Sequence, residues 1–171
     1  ASAHFHLGNG DASKVFINSY ARSARDREVE LPAGAIRTIH TSNANGRLIL
    51  ENETYDGRQV GTLRVTFQSG RITTIETDHH HAYVQAHWGV QTGQKDVIGE
   101  FNIGVNPQLK KLPGYHVIPY FGYGDGFVRI SLGDNQESGG SYISSFHRWL
   151  FLTDATLHAN HVKIMENGKL V

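Results

Sequence analysis

Cysteine is absent from the 171 residues, so the chain has neither a disulfide framework nor a Cys-based zinc site. That lack suits the reducing cytosol, and a cytoplasmic location is the expectation. Charge of one sign is missing too, with 16 Lys and Arg against 16 Asp and Glu. A balanced chain offers no field to hold a phosphate backbone, which argues against nucleic acid as a partner. No apolar run approaches the roughly 18 residues of a membrane span, so a membrane partner is not expected. No charged-then-apolar leader pattern opens the chain. Repeats, low-complexity blocks and a clear linker are also lacking. The length fits one domain with a sizeable core. Against these absences stand two surpluses: 19 Gly, which predict many turns, and 11 His, which raise the question of metal.

The expected organisation is an arm over residues 1–10 and a single domain over 11–171. Asp11 is placed to cap a helix from Ala12 to about Arg25, with Val15, Phe16, Tyr20 and Ala21 on one face. Leu31-Pro32-Ala33-Gly34 reads as a turn. From Ile36 onward the apolar period becomes two. Strands are predicted at Ile36–His40, Gly46–Leu50, Val60–Phe67 and Arg71–Glu76, the last two joined by Gln68-Ser69-Gly70 as a hairpin. His79–Gln91 reads as a helix behind an Asp78 cap. Val97–Val105 and Phe127–Gly133 read as strands. The Gly-, Pro- and aromatic-rich stretch 107–126 between them is read as partly helical. Further strands are expected near 146–153 and 161–166, and Asn167-Gly168 makes a terminal hairpin turn. The fold class is therefore α+β and strand-rich, a mixed or antiparallel, barrel-like sheet with a few short helices.

The histidines do not assemble a metal site by spacing. On a helix, neighbours point about 100° apart, so His79, His80 and His81 cannot face one ion, and His87 lies two turns from His80. His158 and His161 have a usable spacing only on a helix, and they fall between predicted strands. Asp125, Asp134 and Glu137 lie near Gly-rich turns, where acidic side chains serve the backbone. No phosphate loop, nucleophile elbow or His-Glu-x-x-His pattern is present.

Read in order, several segments resemble the C-terminal, metal-binding domain of the aminopeptidase T (thermophilic leucyl aminopeptidase) family. They are Leu31-Pro32-Ala33-Gly34-Ala35-Ile36, the hairpin from Gly57 to Ile75, and Ile98-Gly99-Glu100-Phe101-Asn102-Ile103-Gly104. The others are Phe127–Asn135, Gly139-Gly140-Ser141 through His147-Arg148-Trp149, and the closing hairpin Val162–Val171. The resemblance covers about residues 30–171 and lacks the family's separate N-terminal domain. It implies a depleted ligand set. Ala35 stands where the family has its first metal-ligating Glu. Glu100 keeps the second, and Arg129 replaces a ligating His. His147 keeps another, Trp149 replaces its Asp, and the family's Tyr falls near Gln136. Two ligands are too few for a dimetal hydrolase, and a permanent guanidinium repels a dication. The expectation is an Arg129–Glu100 salt bridge in place of metal, and no cofactor.

The resemblance thus implies a metal-free, peptidase-derived protein, a pseudoenzyme rather than an active peptidase, that binds a peptide. The expected binding residues are Glu100, Arg129, His147, Trp149 and Tyr142, with the aromatic loop 115–123, and with Arg129 holding a ligand carboxylate or peptide carbonyl. Relatives of this kind serve natural product biosynthesis as peptide-binding proteins in crocagin-type ribosomal peptide pathways. Expected partners are therefore a ribosomal precursor peptide, the modifying enzymes of that pathway and a second copy in a homodimer. A positioning role in cyclisation fits the same picture. The alternative is a metal-dependent enzyme with a rearranged site, an aminopeptidase or a mononuclear iron oxygenase. It would join Glu100 and His147 to a third ligand from His116, His40 or His161.

Overall fold

The computed structural model describes residues 2–6, 16–17, 34–39, 41–110, 122–159 and 161–171. Its elements are β1 (Ser2–His6), β2 (Phe16–Ile17), β3 (Ala35–Thr38), β4 (Asn45–Tyr55), β5 (Arg58–Gln68), β6 (Arg71–Thr77) and α1 (His81–Gly89). Then follow β7 (Ile98–Gly104), β8 (Val128–Gly133), β9 (His147–Leu152), β10 (Leu157–Ala159), β11 (Val162–Glu166) and β12 (Lys169–Leu170). They form three sheets, ordered β1-β4-β5-β6, β2-β3-β7-β8-β9 and β10-β11-β12. Every strand pair is antiparallel.

The strand-rich expectation holds and the barrel does not. Each sheet ends in two different strands rather than pairing its first with its last, and a barrel needs that closure. The hairpins follow from their turns. Asp56-Gly57, Ser69-Gly70 and Asn167-Gly168 all have paired positive φ, at 46 and 74, 50 and 74, and 47 and 72°. Two successive left-handed residues match the twist of the flanking strands, and Gly accepts the second position without steric cost.

One core lies between the four- and five-stranded sheets. Leu48, Leu50, Val60, Leu63, Val65 and Phe67 come from the first, and Ile98, Phe101, Val128, Ile130, Leu132, Leu150 and Leu152 from the second. In β5 the inward set runs Val60, then Leu63, Val65 and Phe67, a break in strict alternation. The cause is an irregularity at Gly61, which pairs with Glu53 at φ 75° where the ladder shifts register.

Three expectations change. Ser2–His6, read as part of a loose arm, pairs with β4 from Ser2 opposite Ile49 to His6 opposite Asn45. It covers an edge that an 11-residue strand would otherwise leave open. Phe16–Ile17, read as helix, pairs with Ile36 and Arg37 of β3; the rest of that helix call lies outside the described residues. Asp78 does not cap α1. Its carboxylate accepts the Thr62 N–H at 2.9 Å and Arg64 Nη1 at 2.7 Å, next to the Gly61 irregularity. These bonds, the Thr62 contact first, hold it well below the usual aspartate range. The cap position falls to His80, left-handed at φ 56° with no side-chain bond. The reading of 107–126 as partly helical falls largely on 111–121, outside the described residues. Among the described residues no helix is long and apolar enough to cross a membrane.

Candidate functional site: a polar face buried under the five-stranded sheet

Strand β8 is buried at all six positions. Alternation sends Val128, Ile130 and Leu132 to the shared core and Arg129 and Ser131 to the opposite face. The register extends that face across the sheet. Arg37 of β3 lies opposite Asn102 of β7, and Asn102 opposite Arg129. Glu100 lies opposite Ser131, Ser131 opposite Trp149, and Gly133 opposite His147. The outer face of an antiparallel sheet is ordinarily solvated. Here Arg37, Glu100, Asn102, Arg129 and Ser131 are all buried.

Glu100 is the centre of the network. Arg129 Nη2 donates to Glu100 Oε1 at 2.5 Å, the pairing expected from the sequence. Ser138 Oγ donates to Oε2 in a short bond, and Arg37 Nη1 lies 3.8 Å from the same oxygen. Tyr123, also buried, accepts from Arg37 Nη2 at 2.8 Å and lies 3.5 Å from Arg129 Nη1. Both guanidiniums sit over its ring, at 5.1 and 5.4 Å, and Arg129 lies 5.3 Å from the Trp149 ring. Burial alone would raise the Glu100 carboxyl. Arg129, Arg37 and the hydrogen bonds from Ser138 and Arg129 outweigh it and hold the group below the usual glutamate range.

Ser138 reaches Glu100 because Asn135 ties down the loop between β8 and β9. The buried Asn135 side chain donates to the Gly99 carbonyl at 2.9 Å and accepts the Tyr142 N–H at 2.9 Å. A Cβ at Gly140 would lie 2.1 Å from Asn135 Oδ1, so the close approach requires glycine there.

Glu100, Arg129, His147 and Trp149 all line one small pocket, together with Asp134, Glu137 and Ser138. It holds about 20 Å³, room for about one water molecule. His147 is exposed and meets Trp149 edge-on at 5.2 Å. Tyr142 does not line this pocket; its backbone closes the Asn135 loop instead. Loop 115–121, expected beside the site, lies outside the described residues, as do His40 and His116. Sequence reasoning overlooked Arg37, Asn102, Ser131 and Ser138. The signal for Asn102 and Ser131 was the polar alternation in Glu100-Phe101-Asn102 and Arg129-Ile130-Ser131. Nothing in the sequence placed Ser138 over Glu100.

The site fits a divalent metal poorly. Both oxygens of Glu100 are occupied by donors, and a guanidinium stands at 2.5 Å. Glu100, Asp134, Glu137 and His147 share the pocket, but among the described residues no group of three His, Asp or Glu side chains is placed to hold a metal ion. His161 sits in the β10–β11 hairpin turn rather than in the pocket.

No family model and no curated protein matches the chain. A solved structure does: 2,5-dihydroxypyridine dioxygenase from Pseudomonas putida KT2440, at 18% identity and TM-score 0.66, over 84% of this chain and 45% of the other. The chain therefore spans less than half of that protein's length, and the likeness is one of fold. It corrects the aminopeptidase expectation, because the protein whose fold is matched is a dioxygenase and not a peptidase. The description as peptidase-derived falls with it. The motifs behind that expectation were Gly turns and alternating strands. Many antiparallel sheets need those features, whatever chemistry they carry.

Proposed function

We propose that this chain is a metal-independent peptide-binding protein whose ligand meets the polar face of the five-stranded sheet at the Trp149–His147 margin. The observation that carries this reading is the engagement of both Glu100 oxygens by Arg129 and Ser138. Internal cations hold that carboxylate ionised, and the Arg129 guanidinium beside it repels a dication. What remains accessible is a small polar cleft with Trp149 and His147 at its margin. Arg129 does not serve a ligand carboxylate in this reading, because Glu100 already occupies its Nη2. The partner is a peptide.

The fold supports one other reading, an oxygenase whose iron rests on Glu100 and His147. It would need Arg129 to leave Glu100 and a third ligand to be brought to Glu100 and His147.

Elemental mass spectrometry on tag-free protein offered iron, zinc and cobalt in turn separates the two. The expected result is no stoichiometric metal that depends on Glu100. One equivalent of iron, lost in both Glu100→Ala and His147→Ala, would replace the binding reading with the oxygenase.

A further inference from the structure

The hydrogen bonds around β8 fix which backbone groups of β9 remain open. Gly133 N–H donates to the Val97 carbonyl at 2.9 Å, toward the β7 side, and Asp134 N–H donates to the Phe146 carbonyl at 3.2 Å, toward β9. In an antiparallel ladder the direction alternates residue by residue. Arg148, Leu150 and Leu152 therefore turn their N–H and C=O groups to β8. His147, Trp149 and Phe151 turn theirs outward. Among the described residues β9 is the last strand of its sheet, and no backbone bond joins these three residues to any described residue. Three N–H and three C=O groups in a row form a template for a further strand.

The same register brings the edge to the pocket. His147 and Trp149 point their side chains into it. A residue that pairs with Trp149 on an added strand sends its own side chain to that same face. The edge and the pocket thus read one ligand at once: the edge takes its backbone, and the pocket mouth meets the side chain opposite Trp149.

Charge decides which side chain. The pocket is lined by the carboxylates of Glu100, Asp134 and Glu137 against one cation, Arg129. Arg129 is already bound to Glu100. Asp134 accepts the Gln136 and Ser144 N–H groups at the mouth, and Glu137 is exposed beside it. The uncompensated charge at the entrance is negative. A ligand carboxylate would be repelled there, while an ammonium or guanidinium would be drawn in along the face of Trp149. The small volume keeps that charge at the mouth rather than inside the pocket.

We infer that β9 is a strand-addition site for an extended basic peptide, with a Lys or Arg of the peptide opposite Trp149 and its charge between Glu137 and Asp134. This rests on the peptide-binding reading above and adds its direction, register and charge.

The test uses the full chain and fluorescent pools of nine-residue peptides with a fixed centre of Lys, Arg, Leu or Glu and random flanks. The Lys and Arg pools are expected to bind at least tenfold tighter than the Glu pool, with Leu between. Glu137→Gln should weaken the Lys pool about three- to tenfold and leave the Leu pool unchanged. His147→Pro removes one outward N–H at the first residue of an edge strand, where proline is tolerated. It should weaken every pool more than His147→Ala does, with the melting temperature confirming that both variants fold. Equal affinity across the pools, or equal affinity of His147→Pro and His147→Ala, would overturn the inference and leave peptide binding standing. So would a dimer by light scattering that His147→Pro dissociates, since a second copy would then occupy the edge. Absence of binding by all four pools, with Glu100-dependent iron, would remove the peptide-binding reading itself.

Discussion

Two arginine–glutamate pairs sit on opposite faces of β8 and β9, and their carboxyls are shifted in opposite directions. On the polar face, Glu100 is nearly inaccessible, yet its carboxyl is held below the ordinary range. Toward the other sheet, Arg148 Nη2 donates to Glu53 at 2.9 Å and to the Thr54 carbonyl at 2.8 Å. Glu53 is less buried, but loss of hydration raises it, and Arg148 offsets only part of that. The number of donors explains the difference. Glu100 has two guanidiniums and a hydroxyl shared over both oxygens; Glu53 has one guanidinium, which it shares with a backbone carbonyl. Burial does not set the sign of a carboxylate's shift. What decides it is whether donors replace the lost water.

The comparison breaks most sharply at Arg129. Arg129→Met should cost about 3–5 kcal/mol, because it leaves a buried carboxylate short of its main partner. Chemical unfolding measures it. The double change Glu100→Leu with Arg129→Met should recover most of that loss, since an apolar pair needs no hydration to be replaced. Ser138→Ala removes one donor and should cost about 1–3 kcal/mol. It should also move the Glu100 carboxyl upward, visible by NMR titration. Arg148→Met, on the less buried side, should cost about 1 kcal/mol. Arg47→Ala breaks the exposed pair with Glu76 and should fall within about 0.5 kcal/mol of the parent.

Acid sharpens the same contrast. Glu100 is lowered from 4.5, so its stabilisation is present above that value and is lost as pH falls through its folded-state pKa. Glu53 is raised from 4.5, so its contribution is present below that value and is lost as pH rises through its folded-state pKa. Urea midpoints for the parent, Glu100→Gln and Glu53→Gln across pH 3 to 7 should show the two differences changing in opposite directions. A common slope would mean that the two carboxylates titrate alike.

The local pattern was legible where chemistry is local. The Ser69-Gly70 and Asn167-Gly168 turns, the alternating strands of β5 to β8 and the helix after Asp78 follow from residues close in sequence. The sequence failed where an apparent local signal had a distant competitor. Asp78 reads as a cap until Thr62 and Arg64 claim its carboxylate. Phe16–Ile17 reads as helix until β3 offers a ladder. The barrel failed for the same reason, since closure depends on which strands meet and not on how each alternates. For the site, the Glu100–Arg129 pair was anticipated, but the aminopeptidase resemblance was misleading, because short turns and alternating strands do not distinguish one such fold from another.

By itself the sequence determined the class of elements, the positions of the glycine turns, the absence of cysteine chemistry and the charge balance. Each is a property of single residues or of residues a few positions apart. Only the tertiary structure decided that Arg37, Glu100, Asn102, Arg129 and Ser131 share one buried face, that Ser138 closes over Glu100, and that β9 ends its sheet beside an acidic pocket. Strand register and sheet order bring together residues up to about a hundred positions apart, and the network at Glu100 exists only once that register is set.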